Sequence, residues 1–147
     1  TGPSGGLGSV FLDELCGAGW QVLAVSRNAH RLQARPGVVA VDVDLSNASA
    51  VKAFISDHRD WLEVADLVIN NAGSGILGAA HLQAQSAFEQ QVQLMLQSPV
   101  ALCLTVLPRM LERGRGAILN VTSLAGATGI PYMAAYTTAK AGLTAFT

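Results

Sequence analysis

Charge is scarce in this chain. Ten acidic and nine basic side chains among 147 residues leave a net charge of −1, so no basic face is on offer to a nucleic acid or an anionic membrane. Cysteine is scarcer still. Cys16 and Cys103 stand far apart, each in an apolar segment and neither in a CxxC pair, which excludes a disulfide framework and predicts two buried, reduced thiols. The three histidines, His30, His58 and His81, have no metal-ligand spacing; all three are read as surface residues, and no metal site is expected. No basic–apolar–small leader opens the chain and no uninterrupted apolar run reaches spanning length, so a soluble cytoplasmic protein is the expectation. Repeats, low-complexity tracts and linkers are missing too. With half the residues hydrophobic, disorder is excluded and residues 1–147 read as a single domain.

What the chain does have is alternation. Trp20–Ser26, Val38–Val43, Ala65–Ile69 and Ala117–Val121 are short, β-branched, nearly continuous apolar runs, the pattern of strands buried on both faces of a parallel sheet. Helix-like stretches separate them: Leu7–Ala18; Ala48–His58, which Ser46 could cap; Ala84–Leu111, with Pro99 as an expected kink and Gly114 beyond its end; and Ala134–Phe146. Strand–helix alternation requires crossover connections. The predicted fold is therefore α/β, a Rossmann-type doubly wound parallel sheet whose ligands sit beyond the carboxyl ends of its strands.

Three features are placed at those ends. Thr1-Gly2-Pro3-Ser4-Gly5-Gly6-Leu7-Gly8 leads directly into a helix; glycines at this spacing let backbone approach a pyrophosphate, and the helix N-terminus offers free amides. A P-loop is disfavoured, because no Gly-Lys-Ser/Thr follows. About 20 residues beyond the glycines, where a dinucleotide fold meets the adenosine ribose, stands Ser26-Arg27 rather than a carboxylate. A guanidinium there can pair with a 2′-phosphate that an acidic residue would repel. Near the end, Tyr136 and Lys140 lie four residues apart, on one helix face. A neighbouring cation favours a phenolate, which suits a tyrosine to acid–base work. Tyr132 is a rival, but its own i+4 residue is Tyr136 and not a lysine.

Taken in order, Gly2, Gly6 and Gly8, the Asp44-Leu45-Ser46 turn, Asn70-Asn71-Ala72-Gly73, Ser123 and Tyr136 with Lys140 resemble the ordered motifs of the short-chain dehydrogenase/reductase family. Ser123 also precedes Tyr136 by the family's thirteen residues. The resemblance runs over essentially the whole chain. It implies an oxidoreductase that moves hydride between NADP(H) and a carbonyl or alcohol, with Tyr136 transferring the proton. Ser123 would hydrogen-bond the substrate oxygen, and Lys140 would bind the nicotinamide ribose and favour the Tyr136 phenolate. Gly2, Ser4, Gly6, Leu7, Gly8, Ser26 and Arg27 would hold the phosphates and ribose, with Asp44 and Leu45 at the adenine and Asn71, Ala72 and Gly73 along the cofactor. Tyr136 and Lys140 would touch it as well. A homo-oligomer through helices 84–111 and 134–146 is implied too.

Two departures qualify this. The family usually carries an Asn thirteen positions before the Pro of its LPxM-like segment; counting back from Pro108 in Leu107-Pro108-Arg109-Met110 lands on Met95. Against the family pattern the chain also reads as a fragment, lacking the first strand and the C-terminal third, so the sheet's centre is expected to be unpaired. A non-catalytic dinucleotide-binding protein on the same fold is the alternative that Met95 favours, and an epimerase or dehydratase on this scaffold is a second.

Overall fold

The computed structural model describes residues 1–32 and 35–147. Among these residues four strands form: β1 (Val22–Ser26), β2 (Val38–Asp42), β3 (Leu67–Asn70) and β4 (Ala117–Asn120). The helices are α1 (Gly6–Gly17), α2 (Ala48–Asp57), α3 (Arg59–Val64), α4 (Gln85–Val92), α5 (Ser98–Glu112) and α6 (Ala134–Phe146). Single 3₁₀ turns occupy Ala29–Leu32, Ala80–Leu82 and Leu124–Gly126.

All strand pairing is parallel, as the crossovers require. β1 lies on β2 with Val22 opposite Val38 and Ser26 opposite Asp42; β3 lies on β4 with Leu67 opposite Ala117 and Asn70 opposite Asn120. The two pairs do not bond to each other. Between them runs an apolar groove of about 410 Å³, walled by Leu23, Val25, Val68, Leu12 and Phe54, which is the unpaired centre expected of this sheet. Thr1 and Gly2 bridge the groove at one end: the Thr1 nitrogen donates to the Ile69 carbonyl at 2.6 Å and the Gly2 nitrogen to the Val25 carbonyl at 2.9 Å.

A single apolar cluster holds the layers together. Val25, Val43, Leu45, Val51, Phe54, Leu62, Leu102, Val106 and Met110 are buried against one another, so α2, α3 and α5 share one core with the β1–β2 pair. Burying such side chains is worth roughly 1.5–3 kcal/mol each. The strands are less enclosed than their sequences suggest. Val39 and Leu119 are each about two-fifths exposed, because no further layer covers the outer faces of β2 and β4 among the described residues. Cys103 is buried as expected, but Cys16 is only half-buried; both are free thiols. His58 is half-buried rather than superficial, since its ring stacks on Phe54 at 5.0 Å.

One local expectation is corrected. The cap of α2 is Asn47, whose side-chain oxygen accepts from the Ser49 and Ala50 amides at 2.9 and 3.1 Å; the Ser46 hydroxyl instead donates to Asp44. Pro99 lies inside the long helix, two residues after a π-helical turn over Gln93–Gln97, and being without an N–H it removes one bond from the run. Gln85–Glu112 is thus helical throughout and, by length and composition alone, long and apolar enough to cross a membrane, although no apolar run of that length stood out in the sequence. Its apolar content has a local explanation, since Leu102, Val106 and Met110 belong to the core.

Asn47→Ala is expected to remove both capping bonds and lower stability by about 1 kcal/mol, whereas Ser46→Ala should leave α2 capped. Paired urea melts check this; equal losses would return the cap to Ser46.

Candidate active site

The parallel registers bring Ser26, Asp42, Asn70 and Asn120 to strand ends. The segments that follow them, together with the glycine turn and α6, build the site.

The glycine turn is forced by contact rather than by flexibility alone. Gly2 sits at φ +67°, and a Cβ on it would stand 2.8 Å from the Ala72 Cα. A Cβ on Gly8 would meet the Gly2 carbonyl oxygen at 2.0 Å. No side chain fits there. Asn71 fastens the turn: its Nδ2 donates to the Thr1 and Gly2 carbonyls at 3.2 and 3.1 Å, while the Thr1 hydroxyl accepts from the Asn71 and Ala72 amides at 3.1 Å each. The helix α1 begins at Gly6 behind Gly5, which contributes no side-chain cap, so its first amides remain free for a ligand.

From this turn a cleft of about 570 Å³ extends past Ser4, Arg27, Asp44, Leu45, Ala72 and Gly73. Ser26 and Asn71 line it as well, although the Asn71 amide group is engaged by the turn. The Arg27 guanidinium is exposed at the rim. Asp44 accepts from the Ser46 hydroxyl and amide at 2.6 and 2.9 Å. Those bonds hold its carboxyl below the usual carboxylate range, with the Arg27 charge assisting. Leu45 is fixed through its carbonyl, which accepts from the buried Ser98 hydroxyl at 2.7 Å; Ser98 in turn accepts from Gln93.

The second half of the site follows β4. Ser123 accepts from the Ala125 amide at 3.2 Å, which opens the 3₁₀ turn and leaves the hydroxyl proton free to be donated. Val121 presents its carbonyl to the Lys140 Nζ at 2.6 Å. Lys140 is 4% exposed, and burial pushes its ammonium below the ordinary lysine range. Nζ stands 6.0 Å from the centre of the Tyr136 ring, so the helical spacing does place ammonium and phenol together. A Cβ on Gly75 would stand 3.7 Å from that ring, so the segment after Asn70–Gly73 touches Tyr136. Tyr132 is not a substitute, being two-thirds exposed with φ +66°. Its carbonyl accepts from the Gly78 amide at 2.9 Å.

Met95 is fully buried in the π turn, its sulfur within contact distance of Gly73. Neither Gln93 nor Gln97 takes its place. Sequence reasoning missed Ser98 and Gln91, both buried polar residues. The signal available was polarity interrupting the buried side of a helix. Among the described residues no cluster of three or more His, Cys, Asp or Glu could hold a metal, and His30 is engaged by Asp42 at 2.6 Å.

These features are a family's. The short chain dehydrogenase model matches residues 1–147, and the chain belongs to that family of oxidoreductases. It is 34% identical over 142 residues to a 3-ketodihydrosphingosine reductase of Bacteroides thetaiotaomicron, covering 95% of this chain and 51% of the relative. It is 32% identical over 155 residues to the ketoacyl reductase HetN of a Nostoc species, covering all of this chain and 54% of the relative. The chain thus spans about half the length of the curated relatives it matches. A metagenomic short-chain oxidoreductase in complex with NADP superimposes with a TM-score of 0.88 at 28% identity, over 99% of this chain and 69% of that one.

The lowered Asp44 pKa has a definite sign. Its stabilisation is present above the ordinary value of 3.8 and is lost as pH falls through the still lower folded value. Asp44→Asn should therefore lower the urea midpoint near neutral pH, with the gap closing in strong acid. A gap independent of pH would refute the assignment.

Proposed function

We propose that this protein is an NADP(H)-dependent carbonyl reductase in which Tyr136 is the proton donor. The observation that carries the reading is a convergence. A glycine turn too tight for any side chain, a cleft leading away from it and the Ser123–Tyr136–Lys140 group all lie beyond the strands' carboxyl ends.

The residues present fit a dinucleotide. The backbone at Gly2, Gly6, Leu7 and Gly8, with Ser4, would meet the pyrophosphate, where the free amides of α1 favour anions. Ser26 and Arg27 would hold a 2′-phosphate. Asp44 and Leu45 would border the adenine, with Ala72 and Gly73 along the cleft. When bound, the nicotinamide would supply the hydride. The protein's own work is at the substrate oxygen: Ser123 donates a hydrogen bond to it, and the Tyr136 hydroxyl gives up its proton as the carbonyl becomes an alcohol. Lys140, buried and held by the Val121 carbonyl, places a positive charge beside the ring that is left as phenolate. Its remaining N–H groups are available to the nicotinamide ribose.

Both named relatives are reductases of keto compounds, which favours a ketone as substrate and reduction as the direction. Leu77, Leu124 and Tyr132 are exposed on the segments that follow Gly73 and Ser123 and precede Tyr136, and would suit an apolar chain on that ketone. Self-association through α4, α5 and α6 belongs to the same reading, supported by Leu104 and Leu111 lying exposed on α5.

Met95 supports a second reading, a dinucleotide-binding protein without turnover. The π turn over Gln93–Gln97 forms with Met95 at its centre, and the Ser123–Tyr136–Lys140 set is present in the sequence; both favour the enzyme. Comparing the intact protein with Met95→Asn decides. Parent turnover with ketones, changed no more than about tenfold in the variant, supports catalysis. A parent that binds NADPH but reduces nothing, and gains orders of magnitude from Met95→Asn, supports the other reading.

Arg27 is expected to set cofactor choice. Ser26→Asp with Arg27→Ala should weaken NADPH binding by roughly ten- to a hundredfold, about 1.5–3 kcal/mol for a charge-assisted contact, and turn preference toward NADH. Equal parent affinity for the two cofactors, measured by fluorescence titration, would refute this. Tyr136→Phe should retain NADPH binding and lose about 10²–10⁴-fold in turnover; activity within a few-fold of the parent would move the assignment elsewhere.

A further inference from the structure

Arg27 follows directly on β1, and the turn that carries it is fastened to β2 at both ends. At the first end the strands are in register, with Ser26 opposite Asp42, and the Val43 amide donates to the Ser26 carbonyl at 3.0 Å. At the second end a single side chain does the fastening. The Asp42 carboxylate accepts from the His30 backbone amide at 3.0 Å through Oδ1 and meets the His30 ring Nδ1 at 2.6 Å through Oδ2. That backbone bond is the main reason the Asp42 carboxyl is held below the usual carboxylate range. Between the two ends Ala29 is fully buried, and the Asn28 amide donates to the Ser26 hydroxyl at 3.4 Å. Residues 26–30 thus make a turn closed by Asp42. Ser26, Arg27 and Asn28 lie on the wall of the cleft, whereas Asp42 and His30 are not among its lining residues. The Asp42 and His30 side chains are 47% and 53% exposed, and an exposed ion pair adds little to stability. What the bonds do is restrict the turn.

We infer that Asp42, through its bond to the His30 amide, is a positioning residue for cofactor choice: it closes the turn so that Arg27 is already placed for a 2′-phosphate. A guanidinium on a closed turn loses less backbone freedom when it engages an anion than one on an open turn, and that saving contributes affinity. The sign of the effect separates a clasp from a charge. Asp42 is an acid opposite Ser26, so by charge alone its removal would favour the more negative cofactor. As a clasp, its removal does the opposite. The inference rests on the reading of Arg27 as the 2′-phosphate residue, and adds a residue that acts from outside the cleft.

Two substitutions in the intact protein separate these roles. Asp42→Ala opens the clasp, whereas Asp42→Asn removes the charge and keeps an oxygen for the His30 amide. Each is made alone and together with Arg27→Ala, then titrated with NADPH and with NADH at neutral pH. Asp42→Ala should bind NADPH about fivefold more weakly and NADH within twofold of the parent. Asp42→Asn should bind both within twofold. Once Arg27 is replaced, Asp42→Ala should cost nothing further in NADPH affinity, because the two residues act as a unit. Unchanged or tighter NADPH binding by Asp42→Ala overturns the inference. So does an equal loss for both cofactors, an equal loss in the Ala and Asn variants, or a loss that persists without Arg27. Hydrogen exchange on the unliganded parent tests the clasp with no substitution at all: the His30 amide should be protected, and exchange at the rate of an unstructured peptide removes the inference. A parent that binds NADPH and NADH equally defeats the reading of Arg27, and one that binds neither defeats the proposed function; both results are distinct from any difference among the variants.

Discussion

The approach of Gly8 to the Gly2 carbonyl is the constraint on which the other arrangements depend. With that oxygen 2.0 Å from where a Cβ on Gly8 would be, the start of α1 is pressed against residues 1–2. The same two residues bond to Ile69 on β3 and to Val25 on β1. Asn71 closes the arrangement from below through the Thr1 and Gly2 carbonyls. One short stretch thereby sets the relation between two strand pairs that share no ladder bonds, and it sets the place of α1, which begins just after the cleft residue Gly5. A methyl group at Gly8 would disturb sheet spacing and ligand site together.

Polar groups in the interior are few, and most have defined partners. Asn70 donates to Asn120 at 2.8 Å, locking the last residues of β3 and β4 in register. Ser98 binds Leu45, and Arg113 donates to the carbonyls of Glu63 and Ala65 at the C-terminal end of α3. These bonds are individually modest, about 1 kcal/mol net, but each fixes the position of a loop. Lys140 is the costly member. Among the described residues it has one carbonyl partner, Val121, which leaves a desolvated ammonium beside Tyr136, an arrangement hard to explain by stability alone.

How much of this was legible depends on the range of the interaction. The four strands and the helix Ala134–Phe146 follow from local periodicity and emerge within a few residues of expectation. Site residues separated by fixed spacing on one element, such as Tyr136 and Lys140, were legible for the same reason. The cap of α2 was misplaced by one residue because Ser46 and Asn47 are both competent acceptors; only the Asp44 carboxylate, by taking the serine hydroxyl, decides between them. Pro99 was readable as an interruption of the long helix, whereas the π turn over Gln93–Gln97 just before it has no residue signature of its own. Gln91 was passed over because its burial is a property of the packed chain rather than of its local pattern.

The π turn has one more effect. A π turn acts as a one-residue insertion into an α-helix, which advances everything downstream by roughly 100° about the axis. Ala87, Gln90, Gln91 and Leu94 before or within the turn line the cleft, while Leu102, Val106 and Met110 after it pack into the core. The phase slip turns the first half of one rod toward the cleft and its second half into the core, with Leu94 touching both.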